Sequence, residues 1–141
     1  MPATFESLGI KFLYPDNWTL TERAAEEGIS GATFELPTGG FFSIERTTES
    51  IPAEQVMDEI ESSISAEYGE VEREPAEVSY GFADEQSVDF RFYYLDLIIV
   101  SRLMMVRIDP HRFVIQIQAE SRDFEANERV FEAIMKQIQP Q

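Results

Sequence analysis

The 141-residue sequence predicts an α+β fold, an antiparallel β-sheet of about six to seven strands flanked by two main helices. Three observations point there. Two stretches, 52–68 and 124–138, repeat apolar residues at three- and four-residue spacing. Three long stretches, 86–94, 97–108 and 112–120, are rich in β-branched and aromatic residues and are separated by short connections. Between Ala32 and Thr48, two alternating runs flank Thr38-Gly39-Gly40, where glycine can take the positive φ of a hairpin turn.

The elements follow in order. Ile10 to Tyr14 alternates as a strand, and Pro15-Asp16-Asn17 makes a turn. Trp18 to Arg23 reads as a second strand, and Glu26 to Gly31 as a loop. Ala32 to Leu36 and Phe41 to Thr48 form the hairpin. In the first helix, Pro52 suits the first turn, Ser50 is the candidate N-cap and Gly69 the stop. Its apolar stripe is Val56, Met57, Ile60, Ile64 and Tyr68. Val71 to Tyr80 is a weak strand, placed at an edge by Pro75, and Gly81 to Glu85 is a turn. The three long strands then form a meander across Leu95-Asp96 and Pro110-His111. The final helix, Phe124 to Ile138, carries Val130, Phe131, Ile134 and Ile138 on one stripe. One domain over 1–141 is the simplest organisation.

Two-residue turns fix the pairing. Phe92 then faces Ile99, Phe90 faces Ser101 and Arg102 faces Asp89, which predicts an ion pair inside the sheet. Across Pro110-His111, Val106 faces Ile115, Met104 faces Ile117 and Arg107 faces Val114. One side of the central strand is apolar, while the other mixes Leu103, Met105, Arg107, Val114, Gln116 and Gln118. Neither side looks solvated, so a sheet covered on both faces by the helices and the N-terminal segment is expected.

Composition narrows the function classes. The sequence holds no cysteine, which removes disulfides, thiolate metal sites and cysteine nucleophiles. The net charge of −16 opposes contact with nucleic acid and with anionic membranes. Residues 51–85 contribute most of it, with eleven acids against Arg73 alone. Met1 to Glu6 contains no basic and apolar leader pattern, so a cytoplasmic protein is expected. No cofactor or metal is expected either, since a single histidine without cysteine makes a poor zinc site. That histidine, His111, would need orientation by Asp109 to act as a general base, and neighbours two residues apart in a tight turn seldom achieve it.

The segment Gly9-Ile10-Lys11-Phe12-Leu13-Tyr14-Pro15-Asp16-Asn17-Trp18, with its Pro-x-x-Trp, resembles the opening of proteins in the PsbP superfamily. The later elements follow that superfamily's order over nearly the whole chain. It includes a Ran-binding nuclear import factor, DcrB-like bacterial lipoproteins and Eag-type chaperones of type VI secretion. The resemblance implies a helix-flanked antiparallel sheet and a protein that binds rather than catalyses. An Eag-type chaperone would hold an apolar effector segment in a concave groove, as a dimer. The sequence holds no cysteine for a lipobox, neither a lipoprotein nor a lumenal protein with a transit segment is expected from its opening residues, and no residue matches a functional motif closely enough to carry a role over.

The expected function is therefore a non-catalytic protein-binding, scaffold or chaperone-like domain with another protein as partner, and self-association into a homodimer is a further possibility. The mixed-face residues Leu103, Met105, Arg107, Val114, Gln116 and Gln118 are the candidate contact surface, because methionine adapts to irregular partners and arginine anchors interfaces. Phe41 and Phe42 join them beside the hairpin turn, where alternation points them to opposite sides. The alternative is a helix lying over this face. A second function class, a small-ligand binder or carboxylate-dependent hydrolase, would need a closed pocket of Asp or Glu with Trp18 or Tyr93.

Overall fold

The computed structural model describes residues 2–25, 28–76 and 83–141. Seven antiparallel strands form the main sheet: β3 (Thr19–Ala25), β4 (Gly28–Glu35), β5 (Phe41–Thr47), β6 (Val71–Pro75), β7 (Ala83–Tyr94), β8 (Leu97–Ile108) and β9 (His111–Glu120). Their order is β3-β4-β5-β9-β8-β7-β6. A second, three-stranded sheet joins β1 (Pro2–Ser7), β2 (Ile10–Pro15) and β10 (Gln139–Pro140) in the order β1-β2-β10. Helix α1 spans Ala53–Tyr68 and α2 spans Ser121–Gln137. No helix among the described residues is long and apolar enough to cross a membrane.

Strand alternation sends side chains to two distinct cores. On one face, Phe34, Phe42, Ile44, Phe113, Ile115 and Ile117 of the main sheet meet Phe5 and Phe12 of the small sheet and Phe131 of α2. This core is largely aromatic: Phe5 lies 5.4 Å from Phe34, and Trp18 sits 6.4 Å from Phe42 and 6.1 Å from Phe131. On the other face, Met57 and Ile64 of α1 pack on Val88, Phe90, Phe92, Leu103 and Met105. Strand β8 is consequently buried on both sides from Val100 to Val106.

The meander, the helix-flanked sheet and the edge position of β6 match the sequence expectation. So does the Leu95-Asp96 turn, with Tyr94 opposite Leu97 and Asp89 opposite Arg102. The second hairpin differs. Its turn is Asp109-Pro110, joined by a cis bond, so Ile108 pairs with His111, Val106 with Phe113 and Met104 with Ile115. His111 stays in the ladder because its ring packs on Gly9, where a Cβ would lie 2.8 Å from the imidazole. The shift is even, so every side chain keeps its face.

Other boundaries move as well. Residues 2–7 form β1, which turns into β2 through Leu8 and Gly9, both at positive φ. Gly28 to Gly31 is strand rather than loop, and 83–85 is strand rather than turn. The expectations for Glu26-Glu27, for 77–80 and for Gly81-Phe82 lie outside the described residues. Ser50 does not cap α1. Pro52 occupies the N-cap without a side-chain bond, and the Ser50 hydroxyl meets that of Thr48 at 3.1 Å. The approach to α1 is fixed from β9 instead, where buried Arg112 donates to the carbonyls of Thr48 and Ile51. At the other end of the chain, the Gln137 amide brackets the backbone of Leu13. It accepts from the Leu13 N–H at 2.9 Å and donates to the Leu13 carbonyl at 2.7 Å, tying α2 to β2.

Candidate functional site

The residues singled out from sequence do not form one open surface. Leu103 and Met105 are fully buried against α1, with Val114 half-buried beside them. Phe42 is fully buried in the opposite core, so only Phe41 retains some exposure. Phe41 lies opposite Gln118 in the ladder, and Gln116 donates to the buried Ser101 hydroxyl at 2.9 Å. Arg107 is engaged by Glu49, and this hydrogen bond holds the Glu49 carboxyl below its ordinary range. A helix covering the mixed face is thus the arrangement found over Leu103 and Met105, and it removes both from contact with a partner.

His111 does not pair with Asp109. Arg46 donates to its Nδ1 at 3.0 Å, which leaves the ring proton on Nε2, and Phe113 lies edge-on at 6.2 Å. Among the described residues no group of three or more His, Asp or Glu side chains is placed to hold a metal. Trp18 belongs to the core.

The feature missed in the sequence is the end of the β7–β8 hairpin. Tyr93, Tyr94, Leu95, Leu97 and Ile98 are 67%, 50%, 81%, 37% and 42% exposed. Leu13 is the one other large apolar side chain so exposed among the described residues. Leu95 opens the turn at φ 56°, a left-handed conformation that costs a branched residue about 1 kcal/mol. The base of the tip is firm. Tyr68 of α1 stacks on Phe92 at 4.7 Å and meets Tyr94 edge-on at 5.8 Å. Burial, then the neighbouring Glu67 charge, pushes the Tyr68 phenol up.

A cleft of about 330 Å³ opens beside the tip, lined by Glu70, Val71, Glu72, Arg91, Phe92, Tyr93 and Ile98. Arg91 also borders a smaller cleft of about 140 Å³ under the start of α2. There Arg102 makes two hydrogen bonds to Asp89, at 2.8 and 3.2 Å, reaches Glu128 at 3.5 Å and lies 4.9 Å from the Phe124 ring. This is the ion pair expected from the register.

The sequence carried one signal for the tip. A two-residue hairpin turn normally uses Asn, Asp or Gly first, and a leucine there marks an apolar side chain set where nothing in the fold buries it.

No protein-family model and no curated protein matches the sequence. Solved structures do. The solution structure of cyanobacterial PsbP (CyanoP) from Synechocystis sp. PCC 6803 superposes with a TM-score of 0.60, covering 99% of this chain and 92% of that one at 10% identity. The fold is PsbP-like. The crystal structure of the Pseudomonas aeruginosa protein PA94, of unknown function, superposes with a TM-score of 0.52 at 14% identity, over 99% of this chain and 97% of that one. At these identities the likeness is one of fold.

Proposed function

We propose that this PsbP-like domain is a non-catalytic protein-binding domain of scaffold or chaperone-like kind, and that it docks its partner through the β7–β8 tip. The observation behind this is the cluster of five exposed apolar side chains around one turn. Such clusters lower solubility and add nothing to folding, whereas tyrosine with aliphatic neighbours is the composition of interface centres. Leu95 strengthens the point, because an asparagine or glycine would suit both the backbone and the solvent better.

Strand-edge pairing is a weaker basis for association. Edge strand β6 alternates Glu72 and Glu74 and ends at Pro75, and edge strand β3 has a register shift between Arg23 and Ala24. Charge, proline and bulges all oppose edge pairing. The net charge of −16 supports a protein partner over nucleic acid or an anionic membrane.

The test is capture of partners by the wild-type protein and by a Tyr93→Ser, Leu95→Asn variant. Both residues are exposed, so the variant should keep the wild-type circular dichroism spectrum and lose the captured protein. Equal capture by the two would reject docking at the tip. A Met105→Glu change is no substitute, because it places a charge in the α1 core.

A further inference from the structure

We infer that the segment docked at the tip is basic, with lysine or arginine flanking an aliphatic or aromatic anchor, and that it lies in the cleft that runs over β6 and the β7–β8 hairpin. This rests on the tip being a protein-docking site. The exposed apolar walls of the cleft are Tyr93 and Ile98, paired across the hairpin on one sheet face, while Val71 and Phe92 turn their side chains to α1 beneath it. Its rim is acidic, and the important point is which charges are already satisfied. The two arginines nearby are neutralised within the chain, Arg91 by Glu74 and Arg102 by Asp89 and Glu128. Four exposed carboxylates, Glu70 and Glu72 on the cleft, Asp96 in the turn and Glu125 on α2, make no ion pair among the described residues.

An apolar slot whose one arginine, Arg91, is paired within the chain and whose two carboxylates are not presents a negative field to whatever enters it. Like charges would repel an acidic segment, and a neutral one would leave the rim uncompensated. A basic segment meets both features at once. Its anchor fills the slot, and its cations meet Glu70 and Glu72 while remaining partly hydrated. Charges of this kind act mainly on encounter rate and on selection against wrong partners.

Panning a library of random short peptides displayed on phage tests this. The targets are the wild-type protein, a Tyr93→Ser, Ile98→Thr variant and a Glu70→Gln, Glu72→Gln variant, each checked for an unchanged circular dichroism spectrum. The wild type should enrich peptides that combine Lys or Arg with an apolar anchor. Their affinity should fall about tenfold on the Gln variant, and raising salt should weaken binding to the wild type more than to that variant. Enriched peptides that need Tyr93 and Ile98 but carry no basic excess would overturn the basic partner and leave docking at the tip standing. Peptides indifferent to the Tyr93→Ser, Ile98→Thr change, or no enrichment at all, would overturn both.

Discussion

The two helices hold to the same sheet by different means. Helix α2 inserts Phe124, Phe131, Ile134 and Met135 into an aromatic core that also includes the small sheet. Helix α1 buries Met57 and Ile64, packs Ala53, Val56, Ile60 and Tyr68 partly buried against the same smaller core, and adds an ionic clasp to it. Arg73 of β6, the only base in the acidic stretch 51–85, reaches Asp58 at 2.7 Å, Glu54 at 3.0 Å and Glu61 at 3.2 Å. One side of the molecule is thus secured by a large aromatic core, and the other by a smaller apolar core together with a single cation gathering three carboxylates. Packing energy varies little with salt, whereas exposed ion pairs weaken as salt rises.

The sharpest way to break this comparison is to empty each core in turn. Phe131→Ala should cost about 4 kcal/mol and destabilise the whole fold, because its ring touches both Trp18 and Phe124. Met57→Ala should cost about 2–3 kcal/mol, since the smaller core can close partly over the gap. Urea melts of the two variants give the difference, and equal losses would mean that the α1 core is as tightly coupled as the other.

A smaller effect sharpens the contrast. Arg73→Gln should cost about 1 kcal/mol, discounted for the exposure of its partners, and the loss should shrink in high salt. Hydrogen exchange should quicken in α1 and β6 while α2 stays protected. Uniform quickening across both helices would contradict the division of labour.

The smallest effect concerns pH and falls chiefly on the α2 side. Glu132 is lowered by its hydrogen bond from Lys136. Burial pulls Glu120 upward, but donation from the Arg122 side chain and from the backbone of Asp123 and Arg122 outweighs it. Both carboxylates therefore have folded values below the ordinary 4.5. Their contribution is complete above the ordinary value and is lost as pH falls through the lowered one. Acidification below about pH 4.5 should fray both ends of α2 before the sheet melts, as helical ellipticity against near-UV signal would report. A simultaneous loss of both signals would remove these two residues from the acid response.

Much of this architecture is legible in the sequence because strands buried on both faces have few arrangements open to them. The alternation of Phe90, Phe92, Leu103 and Met105 against Met104, Val106, Ile115 and Ile117 assigns each residue to its core correctly, even though the second hairpin is shifted by two positions. Strand β1 was hidden because Phe5 is its only buried side chain, and its pairing depends on a turn at Leu8-Gly9 with no Asn-Gly or Asp-Gly signature. The candidate site was hidden for another reason. Tyr93 and Ile98 look like core residues until the reach of α1 and α2 along the sheet is known, and that reach is set by tertiary packing. Arg112 was similarly opaque, since its acceptors are backbone carbonyls some sixty positions away.

The bracket between Gln137 and Leu13 has a bearing on how the chain is made. Its two partners are separated by 124 positions, and β2 meets its second neighbour only at Gln139 and Pro140. A ribosome delivers the first hairpin long before that neighbour exists, so Phe5 and Phe12 must wait without their final cover. Closure over so long a loop slows folding and lengthens the time for which nascent aromatic surface stays open to other proteins.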